Sequence, residues 1–307
     1  MTDRVVAHER RPAMRDAVRA ATHTLSAAGV ASAPVDALHL AAHVLGVEVA
    51  EARRLMILGG PSLPDDYADL VEERARRVPL QHLTGVAHFR GLTLAVGPGV
   101  FVPRPETETL VSLAIHALDR PGMPPAPVVV DLATGSGAIA LALKDERPAA
   151  QVHAVEVDPL AHGWAVANRD RLGLDVELTL ADARAAYEQL CGTVDLVTCN
   201  PPYIPDDQVP IDPEVRDHDP ALALYGGPGD GLDLPRQLAA RAAALLRPGG
   251  VLVMEHADQQ GPGLLRSLAA TSAWAEAADH ADLTGRPRVV VAVARGSRHP
   301  ARHTDLS

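Results

Sequence analysis

Apolar residues recur at two spacings along this chain, and the change from one to the other divides it. From Met14 to about Ala28, Val18, Leu25 and several alanines form a stripe at helical spacing, and Gly29 ends it. Pro34 opens a second stripe through Val35, Leu38, Ala41, Ala42 and Leu45, closed by Gly46. Shorter helical patterns follow over 49–58 and 65–77, with Leu70 and Val71 pointing inward. The spacing predicts a small helical domain over 1–78, with a polar, disordered start to about residue 12. Residues 79–102 change character: Thr84, Gly85, Gly91, Thr93, Gly97, Pro98 and Gly99 mark turns and short strands, read as a linking hairpin.

From Pro127 the period alternates between strand and helix. Val128, Val129, Val130 and Leu132 form a buried strand, and Ile139, Leu141 and Leu143 lie on the helix after it. Val152 to Val155 make a second strand and Val176, Leu178 and Leu180 a third. The fourth runs from Val194 to Cys199. A long loop over 204–231 precedes a helix over 234–246, a strand over 251–255 and a helix over 264–270. Two last strands are expected near 274–277 and 289–294. Strands alternating with helices predict an α/β fold with a mostly parallel sheet. The main domain is placed over 103–295, and 296–307 reads as a flexible tail.

Composition narrows the function classes. Lys plus Arg total 28 against 39 Asp plus Glu, a net charge of −11. Such a chain is a poor nonspecific binder of nucleic acid, where phosphate neutralisation dominates affinity. No apolar run reaches membrane-spanning length. The first residues, with Arg4, Glu9, Arg10 and Arg11, lack the apolar stretch of a signal peptide. The two cysteines, Cys191 and Cys199, are not in a metal pattern. A cytoplasmic protein is the simple expectation. His39 and His43 stand four apart on a helix without a third ligand, so no metal site is predicted.

Candidate chemistry gathers at strand ends. Asn200-Pro201-Pro202-Tyr203 follows the fourth strand, where prolines fix φ and stop the sheet from extending. A planar NH₂ group can donate to the Asn200 side-chain oxygen and the Pro201 carbonyl while Tyr203 packs on its face. After the first strand comes Ala133-Thr134-Gly135-Ser136-Gly137, a glycine loop opening a helix. It is not a P-loop, because no Lys-Ser/Thr pair follows, and it lacks the dinucleotide spacing. Glu156 ends the second strand about 20 residues on, a place suited to ribose hydroxyls. Asp182 ends the third and is either an adenine contact or a helix cap. Phe101-Val102-Pro103-Arg104-Pro105-Glu106-Thr107-Glu108 reads by itself as a rigid linker with a helix cap.

Together these segments resemble a known family. Pro79-Leu80-Gln81-His82-Leu83-Thr84-Gly85, Val102 through Glu108, Gly135-Ser136-Gly137-Ala138-Ile139-Ala140, Asn200 through Pro205, and Gly229-Asp230-Gly231-Leu232-Asp233 appear in the order found in peptide chain release factor N5-glutamine methyltransferases. The likeness runs from about residue 14 to 295. It implies a Rossmann-like class I methyltransferase fold: a seven-stranded, mostly parallel sheet with a helical N-terminal domain. It implies methyl transfer from S-adenosylmethionine to the glutamine of a Gly-Gly-Gln motif in class 1 release factors, leaving S-adenosylhomocysteine. By that resemblance residues 133–137 and Glu156 bind the cofactor, Asn200 touches it, residues 200–203 hold the glutamine, and Phe101 and Arg104 border the pocket. The helical domain would recognise the protein substrate. Four positions depart from the family: Ala133 stands for glycine, Glu156 for aspartate, and His256 and Ala257 turn the usual Glu-Ile-Gly into Glu255-His256-Ala257. Asn-Pro-Pro-Tyr is shared with adenine-N6 and other amino-methylating enzymes. Another protein glutamine, an adenine, or cofactor binding without turnover therefore remain open readings at this point.

Overall fold

A computed structural model of the chain describes residues 13–295. The polar start and the tail read from the sequence lie outside that range. The chain forms two compact units, Met1–Val86 with Ile211–His218, and Ala87–Pro210 with Asp219–Ser307.

The first unit is helical. It contains α1 (Met14–Ala27), α2 (Ala33–Leu45), α3 (Val49–Leu58), α4 (Asp66–Ala75) and the short α5 (Leu80–Thr84). Met14, Val18, Ala21 and Leu25 are the buried face of α1, the spacing that one side of a helix requires. They pack with Leu38, Leu40, Ala41 and Tyr67 in one core. Gly46 closes α2 in the left-handed conformation, φ 62°. The region expected as a plain hairpin thus begins with a helix. Five residues are too short to print a period.

The second unit begins with a two-stranded ribbon, β1 (Val86–Phe89) and β2 (Leu92–Ala95), followed by α6 (Glu108–Leu118). Then come β3 (Val128–Leu132), α7 (Ala138–Glu146), β4 (Gln151–Glu156), α8 (Pro159–Leu172), β5 (Val176–Leu180) and β6 (Val194–Cys199). After β6 lie β7 (Ile204–Pro205), α9 (Pro213–His218, part of the first unit), and β8 (Tyr225–Gly227). The chain ends with α10 (Asp233–Leu245), β9 (Leu246–Glu255), α11 (Gly261–Ala269), β10 (Trp274–Ala281) and β11 (Pro287–Ala294). The last two strands are longer than the apolar pattern suggested, because most of β10 is exposed and its far half carries Asp279 and His280 in place of an apolar run.

Seven strands form one sheet in the order β10-β11-β9-β6-β3-β4-β5, with only β11 antiparallel to its neighbours. Apolar clusters cover both faces, as a parallel sheet demands. The chain runs outward from β3 through β4 to β5, then returns to β6 on the other side of β3. This reversal opens a crevice at the carboxyl ends of β3 and β6, where ligands of such sheets bind.

Candidate active site at the sheet's carboxyl edge

Strand register decides which residues meet at that crevice. Leu132 pairs with Cys199, so the loop beginning at Ala133 and the tetrad beginning at Asn200 leave the sheet side by side. Leu132 also pairs with Val155, which places Glu156 beside Ala133. Cys199 pairs with Met254, which places Glu255 on the other side of Asn200. Four chain segments far apart in sequence therefore end in one row.

The glycine loop is a series of left-handed turns. Ala133, Gly135 and Gly137 have φ of 59°, 58° and 84°, and α7 starts immediately after. Alternation of this kind turns successive N–H groups toward one side, favourable for an anionic or electron-rich ligand. The loop is braced from beneath. Thr134 Oγ1 donates to Asp131 (2.6 Å), as does Thr198 Oγ1 (2.8 Å). Burial pushes the Asp131 carboxyl up to about 7 despite those two bonds. The Asn168 amide donates to the carbonyls of Ala95 (2.9 Å) and Ser136 (3.1 Å), tying α8 to the loop. A Cβ built on Gly135 would meet nothing within 4 Å, so open space lies beside the loop.

Glu156 closes the other side of that space. Its carboxylate accepts from Gly135 N–H (2.8 Å) and from the N–H groups of Val157 (2.9 Å) and Asp158 (3.0 Å). The extra methylene, relative to aspartate, lets it span from its own turn to the glycine loop. Asp182 lies past the end of β5, two strands out from β3. Its carboxylate is paired with Arg184 at 2.5 Å and held below the usual range by that guanidinium. Asp182 also begins a turn, accepting from the N–H groups of Ala185 and Ala186.

The tetrad is fixed by close backbone packing. Tyr203 and Ile204 donate their N–H groups to the Leu224 carbonyl, and β7 pairs with β8. A Cβ on Gly226 would lie 2.1 Å from the Gly231 carbonyl oxygen and 2.6 Å from that of Pro202. One on Gly231 would lie 2.2 Å from the Tyr203 carbonyl oxygen. The glycines of this segment thus exist to let three stretches of backbone touch. Gln260 completes the brace, donating to the carbonyls of Tyr203 and Asp230, both at 2.7 Å. Asn200 Nδ2 donates to Thr107 Oγ1 at 3.2 Å. Among the described residues, the Asn200 Oδ1 and the Pro201 carbonyl accept no hydrogen bond.

Phe101 and Arg104 form a pair of their own. The Arg104 guanidinium stacks 4.7 Å from the centre of the Phe101 ring and pairs with Asp219 at 2.5 Å. Thr107 lies in a 3₁₀ turn (Pro105–Thr107) leading into α6, and makes no cap bond there. Its hydroxyl serves Asn200 instead. His256, whose role the sequence left open, is fully buried between the Ala257 carbonyl (2.8 Å from Nδ1) and Asp279 (3.0 Å from Nε2). It pins the end of β9 to β10. His39 is half-buried and His43 exposed, and no group of three metal-ligating side chains occurs among the described residues.

Comparison with known proteins agrees with this geometry. Residues 16–85 match the family model described as PrmC N-terminal domain, and residues 92–212 the one described as Methyltransferase small domain. A release factor glutamine methyltransferase of Streptomyces coelicolor is 50% identical over 90% of this chain and 96% of its own length. That of Mycolicibacterium smegmatis is 48% identical over 91% and 97%. The chain belongs to the release factor glutamine methyltransferase family. A more distant member from Deinococcus radiodurans is 44% identical over 90% of this chain and 97% of its own length. The seven-stranded, mostly parallel sheet is the class I methyltransferase architecture the family resemblance implied, here with a helical N-terminal part. Within it, Thr107, Asn168, Glu255 and Gln260 are site supports that the sequence reading did not single out. Asn168 carried a signal as a polar residue on the apolar side of a helix, and Thr107 and Glu255 only as members of family segments without a role of their own.

Proposed function

We propose that this chain transfers a methyl group from S-adenosylmethionine to the side-chain nitrogen of the glutamine in the Gly-Gly-Gln motif of class 1 release factors. One observation carries the reading: Asn200 Oδ1 and the Pro201 carbonyl are two acceptors without partners among the described residues, beside the glycine loop. A primary amide has two N–H donors, which this pair matches. Tyr203, held by its own backbone bonds, would pack its ring on the amide plane. The names of the curated relatives support the same substrate.

The residues present fit the cofactor. The left-handed loop 133–137 with open space beside Gly135, and Glu156 across from it, are the elements that would hold S-adenosylmethionine. Asp182 would reach its adenine, and Phe101 and Arg104 would border the pocket. When bound, the cofactor supplies an electrophilic methyl carbon whose bond to sulfur breaks as the amide nitrogen takes it, leaving S-adenosylhomocysteine. The protein's part is orientation. An amide nitrogen is a weak nucleophile because its lone pair is delocalised. Fixing both N–H groups aims that nitrogen, and alignment of this kind is worth up to about 7–11 kcal/mol of a bimolecular barrier. The nitrogen's surplus proton then leaves to water, and no strong base is required.

The helical unit is assigned to release-factor recognition, and the activity to the cytoplasm, where translation occurs. Among the described residues no single helix is long and apolar enough to cross a membrane. The test is a methylation assay with release factors, read by mass spectrometry of the Gly-Gly-Gln peptide. One added methyl on that glutamine is the expected result. A methyl found on another protein's glutamine, or on adenine, would redirect the reading. Asn200→Ala should lower turnover by about a hundredfold while S-adenosylmethionine affinity changes little. Equal loss of both would remove Asn200 from the aiming role.

A further inference from the structure

Asn200 is an amide, and its two ends are opposite in character. Oδ1 accepts and Nδ2 donates, so a flip of the group would turn an acceptor for the substrate into a second donor facing a donor. Something must set the flip. Nδ2 donates to Thr107 Oγ1 at 3.2 Å, and Thr107 is buried. A hydroxyl has one proton, and if Oγ1 accepts from Asn200 that proton must go elsewhere. A buried acceptor at that end of the sheet is Glu255, whose strand end lies next to that of Asn200 by register. Glu255 is buried, and Oε2 has no hydrogen bond of normal geometry among the described residues. Burial raises the Glu255 carboxyl, and the Thr107 hydroxyl is close enough to oppose that by favouring the anion. Arg288 acts in the same sense and Glu106 against it. The Tyr203 hydroxyl lies 3.5 Å from Oε1.

We propose, building on the glutamine-methylation reading, that Thr107 and Glu255 are positioning residues that fix the polarity of the Asn200 amide. Glu255 draws the Thr107 proton, Thr107 therefore accepts from Asn200 Nδ2, and Oδ1 is left to receive the substrate N–H. Glu255 contacts neither substrate nor cofactor and acts through two side chains. Without its acceptor, the Thr107 proton is free to turn toward Asn200, and the amide can sit either way round. A Gln at 255 has its own NH₂ to offer Thr107, which reverses the chain of donors.

The experiment uses the full chain with Thr107→Val, Thr107→Ser and Glu255→Gln. The first readout is hydrogen exchange of the Asn200 side-chain NH₂ protons, by NMR of ¹⁵N-labelled protein. Glu255→Gln should speed that exchange about tenfold or more, although residue 255 does not touch Asn200, and Thr107→Val should match it. Thr107→Ser keeps the hydroxyl and should exchange like wild type. The second readout is turnover on release factor. Glu255→Gln and Thr107→Val should lower kcat about tenfold to a hundredfold with S-adenosylmethionine Kd within about twofold, and Thr107→Ser should restore kcat. Wild-type exchange at Asn200 in a folded Glu255→Gln or Thr107→Val protein would overturn the relay. Thr107→Val turning over like wild type would do the same. Absence of turnover by the wild type overturns the substrate reading instead, and the exchange measurement still decides the relay.

Discussion

Ala133 occupies a backbone position built for glycine. Its φ of 59° places Cβ against the following carbonyl, a cost of about 1–2 kcal/mol for an L-residue. Ala133→Gly removes that strain but frees the unfolded chain by about 0.4–1 kcal/mol. The net expectation is a gain of about 0.5–1 kcal/mol in denaturant unfolding. A loss would mean that the alanine methyl makes packing contacts worth more than its strain. Glu255 carries a different residue-scale signature. Burial pushes its carboxyl up to about 7 from an ordinary 4.5, so the native state holds a proton that the unfolded chain has released. Stability attributable to this group is therefore highest in acid and falls as pH rises from about 4.5 to 7. Glu255→Gln removes the dependence. The stability difference between the two proteins should move in the variant's favour across that window, by an amount on the order of 3 kcal/mol. Asp131 shares the raised carboxyl but is present in both, so it cancels. A difference independent of pH would show that Glu255 titrates normally. The tetrad was legible in sequence because two prolines after a buried strand have few other uses. Thr107 and Glu255 were not legible as its supports. Glu255 reaches the tetrad through the register between β6 and β9, which are separated by β7, α9, β8 and α10, and Thr107 reaches it from the turn before α6.

At the scale of elements, the segment after the tetrad behaves as a folded brace where the sequence suggested a long loop. A two-residue strand, a six-residue helix and a three-residue strand have no room to show a period. Its glycines were visible, but their purpose was not. The contact each avoids is with backbone distant in sequence. Gly226→Ala tests this, since its Cβ would fall 2.1 Å from the Gly231 carbonyl oxygen and 2.8 Å from Tyr203 Cα. Backbone cannot rotate away as a side chain can. The expected cost is about 1–3 kcal/mol of stability, with a drop in kcat and little change in cofactor affinity. Gly163 provides the contrast. It lies exposed within α8, and a Cβ there would meet nothing within 4 Å. Gly163→Ala should stabilise the protein by about 0.5–1 kcal/mol through helix propensity, leaving turnover unchanged. Equal behaviour of the two variants in unfolding would contradict the backbone-contact account. The main strands and helices, by contrast, were readable from their periods, because a sheet covered on both faces needs runs of apolar residues.

At the scale of the whole molecule, the chain leaves its second unit at Pro210 and returns at Asp219, and the eight residues between belong to the helical unit. Nothing in the local sequence announces this. What holds them is charge deep in that unit. Arg74, only 7% exposed, pairs with Asp36 and with Glu214, each at 2.7 Å, and Ser32 donates to the other Asp36 oxygen. Arg77 adds a two-pronged contact to Glu214 at 2.7 and 2.5 Å, and its third nitrogen donates to the Gly29 carbonyl. Burial would raise the Glu214 carboxyl, but hydrogen bonds from the Arg77 and Arg74 guanidiniums outweigh it and hold the group well below its ordinary 4.5. A depressed carboxyl stabilises the fold above its ordinary pKa and loses that contribution as pH falls below it. Removing one partner of a buried pair costs about 3 kcal/mol, because the remaining charges stay buried. Glu214→Gln should therefore unfold at lower denaturant at pH 7. Its deficit should shrink as pH is lowered below about 4.5, where the unfolded wild type takes up a proton that native Glu214 does not accept. Limited proteolysis should cut residues 206–218 faster in the variant at neutral pH, with the cleaved peptide bonds mapped by mass spectrometry. A stability gap that stays constant through acid would assign the effect to packing. Faster cleavage with an unchanged unfolding midpoint would show that the charge cluster anchors the segment without stabilising the helices, and that the tie between this stretch and the helical unit is local.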